Sequence, residues 1–175
     1  MLTLNLVAVL VVVLMISILW TILLGAPYLP TTMGKVRKML VMAEVGPGDL
    51  LYDLGCGDGR TIITAARSFG CRAVGIEIDP LRYLWCQLLI TVLGLRGQVT
   101  IVFGDIFAQD LSAADVITCY LLPKANKKLE AKFFRELKPN ARVVSNDFQF
   151  PGLRLTQEDI EAELYLYHPQ PTPNP

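Results

Sequence analysis

The apolar and polar positions divide the chain into two unequal parts. From Met1 to Gly34 there is no Asp, Glu, Lys or Arg, and Leu6 to Leu24 is an almost unbroken run of Leu, Val, Ile, Met and Ala. About 20 such residues in a helix reach roughly 30 Å, the thickness of a bilayer's hydrocarbon core. All faces of that helix are equally apolar, which fits lipid on every side better than one buried core face. A cleaved leader would carry a basic start and a small-residue cleavage site, and neither is evident. Residues 1–25 are therefore expected to form one transmembrane helix, with Trp20 and Tyr28 near the interface. Residues 26–32 read as a short linker stiffened by Pro27 and Pro30, too short to carry the following domain far from the membrane.

Past the linker the pattern changes to short apolar runs alternating with helical periodicity. Helices are expected over Met33–Ala43, Arg60–Phe69, Leu81–Leu93 and Ala125–Leu137. Strands are expected over Leu50–Leu54, Ala73–Ile78, Val99–Phe103, Asp115–Tyr120 and Arg142–Ser145. Strands separated by such helices imply parallel β-α-β units with right-handed crossovers. The prediction is an α/β, Rossmann-like sheet, mostly parallel, closed by an antiparallel hairpin over 151–168. Residues 33–168 make the domain, and 169–175 read as a proline-rich tail. Leu81–Leu93 is more apolar than one buried face requires, so it is expected either to be well covered or to touch the bilayer or the anchor. Lys124, Lys128, Lys132 and Arg135 fall on one helical stripe, expected as a solvated face, with contact to anionic lipid as the alternative.

Charge and composition mostly exclude. Sixteen Lys and Arg balance sixteen Asp and Glu, and no basic tract is present, so a nucleic-acid partner has little electrostatic support. Cys56, Cys71, Cys86 and Cys119 form no CxxC pair, which fits reduced thiols rather than disulfides or zinc. His168, the one histidine, is expected at the surface, so no histidine triad or multi-histidine metal site is available. Lys35, Arg37 and Lys38 follow the apolar segment and nothing positive precedes it, which places the domain on the cytoplasmic side of a single-pass anchor.

The chemistry centres on LLYDLGCGDGRTII, Leu50 to Ile63, a strand that breaks into Gly55, Gly57 and Gly59 before a helix. Such a turn holds a ligand against its backbone. A triphosphate loop would need a Lys-Ser/Thr that is missing, and Arg60 stands where a dinucleotide fingerprint has its third glycine. Asp53 at the end of the strand would repel a pyrophosphate but suits an amino-acid ammonium. Glu77 ends the next strand, where an acid accepts ribose hydroxyls, and Asp105 ends the third, where a carboxylate can accept an adenine amino group.

DLGCGDGR, GIEID and FGDIF in this order resemble the class I S-adenosylmethionine-dependent methyltransferases. With PYLPTT before the first helix, YLLP after the fourth strand and a compact C-terminus, the chain further resembles the membrane-anchored family 173 protein-lysine methyltransferases. That family is related to the modifiers of the c-ring protein of ATP synthase and of the adenine nucleotide translocase. The resemblance implies that Thr31 and Thr32 help Asp53, Gly55, Gly57 and Gly59 to hold the cofactor's amino-acid end, with Glu77 at the ribose and Asp105 at the adenine. Tyr120 stands where nucleobase-methylating enzymes carry Asn or Asp before Pro-Pro, so it offers no grip on a base amine. It is expected to line the acceptor channel, with Asn146 and Asp147 close by. The expected acceptor is a membrane or membrane-proximal protein. A lipid or quinone acceptor, and a cofactor-binding module without catalysis, stay open as alternatives.

Overall fold

A computed structural model describes residues 29–171 together with Val11, Val12 and Met15. The apolar segment expected as a transmembrane anchor therefore lies outside the described residues, save for those three. Among the described residues no helix is long and apolar enough to cross a membrane.

The domain opens with α1 (Met33–Met42), whose first turn is capped by the Thr32 hydroxyl accepting from Lys35 N at 3.3 Å. Then follow β1 (Leu50–Leu54), α2 (Arg60–Phe69), β2 (Arg72–Glu77), α3 (Pro80–Val92) and β3 (Val99–Phe103). After them come β4 (Val116–Cys119), α4 (Pro123–Glu136), β5 (Arg142–Asn146), β6 (Leu153–Asp159) and β7 (Leu164–Pro171). The seven strands form one sheet in the order β3-β2-β1-β4-β5-β7-β6. The first five strands of that order run parallel, and β7 pairs antiparallel with both β5 and β6. The expected mostly parallel Rossmann-like sheet with an antiparallel hairpin is thus what the chain forms.

Both faces of the central parallel strands are covered, which is why β1, β4 and β5 read as apolar runs, whereas the edge strand β6 is largely exposed. All four residues of β4 are buried. In β5, Val144 joins Val36, Leu40, Ile62 and Ile90 from α1, α2 and α3, whereas Val143 joins Leu129 and Phe133 from α4. The α4 side is completed by Phe150, whose ring lies 5.5 Å from Phe133 and 5.7 Å from Tyr167. Gly75 lets β2 pass under the glycine turn: a Cβ there would lie 2.7 Å from Cys56 Sγ and 2.8 Å from Ile62 Cδ1.

Helix starts differ from the expected ones in a consistent way. α3 begins at Pro80 with Asp79 as its cap, and α4 begins at Pro123, because proline lacks only an N–H that the first turn leaves unused anyway. Three surface expectations need correction. Lys132 is buried and ion-paired with Glu136 one turn on, so the lysine stripe of α4 is not a uniformly solvated face. His168 is half-buried within β7, its Nδ1 3.0 Å from the Ala141 carbonyl oxygen. β7 itself continues through Pro171, taking in the first residues of the stretch expected as a tail.

Candidate active site

The carboxyl ends of β1, β2 and β4 open onto one cavity of about 340 Å³, within the range of roughly 300–1,000 Å³ typical of ligand pockets. Its floor is the turn after β1. Gly55, Gly57 and Gly59 all have left-handed backbones, at φ 77°, 59° and 81°. The Gly55 and Cys56 N–H groups both donate to the Ile76 carbonyl at 3.0 Å, pinning the turn to the neighbouring strand. At Gly59 the positive φ coincides with close approach, since a Cβ would sit 3.0 Å from Cys86 Sγ.

Glu77 fixes the opposite wall. Its carboxylate accepts from Gly57 N at 2.8 Å, Ile78 N at 3.0 Å and Asp79 N at 2.8 Å. Burial raises its pKa above the ordinary value, against the opposing pull of the N–H groups of Asp79 and Gly57. It lines the cavity, and with three N–H donors on about four acceptor sites it keeps one lone pair, on Oε2, for a ribose hydroxyl. Asp53 is the most perturbed acid of the site. It is buried at the end of β1 and accepts from the Thr118 hydroxyl at 2.7 Å. Burial pushes its carboxyl up to about 7, and the hydroxyls of Thr118 and Thr61 only partly offset this. A buried carboxylate of this kind calls for a cation from outside the protein. Asp105 lies on the cavity at the far side, one oxygen accepting from Phe107 N at 2.9 Å. Three separate acids around a glycine cradle thus offer acceptors suited to an ammonium, a ribose hydroxyl and an adenine amine, and the set fits S-adenosylmethionine.

Thr31 lines the cavity and Thr32 does not: Thr32 serves as the cap of α1. Gly59 likewise forms the start of α2 rather than the cavity wall. The segment before α1 is strapped over the turn by Arg60, which donates to the Thr31 carbonyl at 2.6 Å and forks onto Asp58. Arg60 and Asp58 both line the cavity. In the sequence Arg60 stands out only as a missing glycine, because its partner lies before α1 and no local spacing links them.

Tyr120, Asn146 and Asp147 do lie close together, but of the three only Tyr120 lines the cavity. Tyr120 lines the cavity at the end of β4, its ring 6.3 Å from Phe148. Its phenol is pushed up to about 12, first by burial and then by a hydrogen bond to Asp147. Tyr120 is therefore a proton holder at neutral pH and no base. Asp147 follows β5 in a left-handed conformation, φ 63°, and carries an unforeseen partner. Lys35 of α1 donates to Asp147 Oδ1 at 2.6 Å and to Asn146 Oδ1 at 3.1 Å, while Asn146 Nδ2 donates to Thr31 Oγ1 at 3.2 Å. The connection after β5 is short, residues 147–152, and contains no helix. At the adenine side, Lys128 stands 3.7 Å over the Phe107 ring.

Fold and site together define a class I S-adenosylmethionine-dependent methyltransferase. The chain belongs to the ANTKMT methyltransferase domain family, whose model matches residues 53–157. It is 42% identical over 148 residues to a protein-lysine N-methyltransferase of Saccharolobus islandicus, covering 81% of this chain and 92% of that protein. Over 129 residues it is 33% identical to the adenine nucleotide translocase lysine N-methyltransferase of Mus musculus, covering 73% of this chain but only 56% of that protein. Among solved structures it resembles an RNA methyltransferase from Salinibacter ruber in complex with S-adenosyl-L-homocysteine. That match has 41% identity and a TM-score of 0.75, over 79% of this chain and 91% of the other.

Proposed function

We propose that this chain is a protein-lysine N-methyltransferase, tethered to the membrane by residues 1–25 and acting on a protein segment at the bilayer surface from the cytoplasmic side. The observation that carries the lysine reading is the likeness to the Saccharolobus islandicus enzyme across nearly its whole length. Beside the cavity wall at Tyr120, Asp147 and Asn146 hold one primary ammonium, that of Lys35, so these side chains suit such a group. The tether is supported by the uncharged apolar run Leu6 to Leu24 and by the side on which Lys35, Arg37 and Lys38 lie.

S-adenosylmethionine, when bound, supplies an electrophilic methyl group on a sulfonium. The acceptor nitrogen needs a free lone pair, and removing its proton costs about 4–5 kcal/mol at neutral pH from a pKa near 10.4. Tyr120 keeps its own proton, so its part is to shape and orient the amine. The absence of a helix after β5 leaves the site open to a large acceptor. The proton then leaves by water.

A second reading, RNA methylation, is favoured by the name of the Salinibacter ruber structure. Against it stand the balanced charge and the Tyr120 position. A lipid or quinone head group is the third. Methyl-labelled cofactor is supplied to protein, RNA and lipid fractions with the full-length chain and with Glu77→Ala. Label in protein that depends on Glu77 upholds the lysine reading; label in RNA or organic extract overturns it.

A further inference from the structure

The outer face of α3 is apolar where a solvated helix would be polar. Leu84, Trp85, Leu88 and Val92 are 60%, 51%, 55% and 72% exposed. On a helix these positions fall within an arc of about 100°. The opposite face is also apolar and is already used, with Cys86 and Ile90 buried against the sheet. No Asp or Glu occurs between Pro80 and Val92. An outward apolar stripe of this size on a protein surface marks a docking site.

The point where the chain enters the domain bears on what covers it. Leu29, Pro30 and Thr31 border the same cavity as Ile78 and Arg82, so the point where the N-terminal segment joins the domain lies across one pocket from the start of α3. Between Leu24 and Leu29 the chain can span no more than about 18 Å. If residues 1–25 cross the bilayer, its surface lies within reach of α3. We infer that α3 lies in the bilayer interface, with Leu84, Trp85, Leu88 and Val92 inserted among the lipids, so that the domain makes two contacts with the membrane and holds its cavity in a fixed orientation. The inference rests on the reading of residues 1–25 as the anchor. An interfacial helix of this type buries its apolar face roughly 5–10 Å deep, and a tryptophan at that boundary is the expected anchor residue.

The two tryptophans, Trp20 and Trp85, allow each contact to be read alone. Full-length Trp20→Phe and Trp85→Phe chains are placed in nanodiscs containing lipids brominated along the acyl chain. Trp85, alone in the first chain, is expected to show blue-shifted emission and about twofold quenching, as befits a ring at the headgroup boundary. The pair Leu84→Ser and Leu88→Ser, which removes exposed side chains only, is expected to relieve the quenching. It should also lower methylation of acceptors in membranes while leaving that of a soluble peptide unchanged. Quenched Trp20 with water-exposed, unquenched Trp85 overturns the inference and leaves the anchor standing. If neither is quenched, the anchor fails and the inference with it. Blue-shifted but unquenched Trp85 in a chain that cross-links to itself assigns the face to a second copy, which also overturns the inference.

Discussion

Replacing Asp53 by Asn should stabilise the cofactor-free protein at alkaline pH while impairing cofactor binding. The carboxyl stands at about 7 in the fold against 3.8 in the open chain, through burial. Because the folded value is the higher one, its favourable contribution to folding is complete below the open-chain value. That contribution is lost as pH rises through 7. Above pH 7 the fold carries the whole penalty of a buried carboxylate without a counter-ion, which comes to about 4 kcal/mol. Asn keeps an oxygen for the Thr118 hydroxyl but adds an NH₂ that needs a partner, a loss of about 1–3 kcal/mol. The net gain at pH 8.5 is therefore about 2 kcal/mol, or roughly 4–8 °C in Tm for a chain of this size. At pH 5.5 the folded carboxyl is neutral and the penalty only about half as large, so the same substitution should give no gain. Cofactor affinity should fall by about 10–100-fold in the variant, as for loss of a hydrogen bond to a charged group. In the unaltered protein affinity should rise between pH 6 and 8 as Asp53 ionises. Thermal unfolding of the full-length chain in detergent at both pH values, with and without S-adenosylmethionine, reads all of these. Equal destabilisation at both pH values together with pH-independent cofactor affinity would refute the reasoning.

Other consequences of the structure are as directly checked. Glu77→Ala strips the acceptor from the N–H groups of Gly57, Ile78 and Asp79, so calorimetry should show cofactor affinity reduced by at least about 100-fold. Gly75→Ala forces a methyl group against Cys56 and Ile62, and denaturant titration should show a loss of about 1–3 kcal/mol. Tyr120→Phe keeps the contact with Phe148 but loses the bond to Asp147; kcat should fall about tenfold with the cofactor's KM unchanged, a drop of about 1.4 kcal/mol in transition-state stabilisation. Unchanged turnover in Tyr120→Ala with cofactor still bound would remove Tyr120 from the acceptor site.

What could be read from the sequence follows from how local each signal is. The β1 turn announces itself because an apolar run stops at closely spaced glycines, and Asp53, Glu77 and Asp105 each sit within two residues of the end of a strand that the pattern predicts. Those three acids all reach the cavity. Contacts between distant segments left no such trace. Arg60 binds the Thr31 carbonyl and Lys35 binds Asp147, joining the strap before α1 to the start of α2 and α1 to the end of β5. Thr31 and Thr32 look equivalent in sequence, yet one faces the cavity and the other closes the first turn of a helix. Lys132 looks solvated in the pattern because helical spacing alone does not reveal a carboxylate one turn on that draws the side chain inward. His168 looks exposed beside prolines, although those residues continue a hairpin strand.

The proposed reaction is methyl transfer in this cavity from S-adenosylmethionine to a lysine of a membrane-associated protein. Its most direct test is mass spectrometry of lysine methylation in membranes from cells that lack the protein, complemented either with the full-length chain or with Glu77→Ala. The predicted result is a methylated lysine in a membrane or membrane-proximal protein with the full-length chain and none with Glu77→Ala. Identical lysine methylation in both, with methyl groups instead gained by RNA or by extractable lipid, would contradict it.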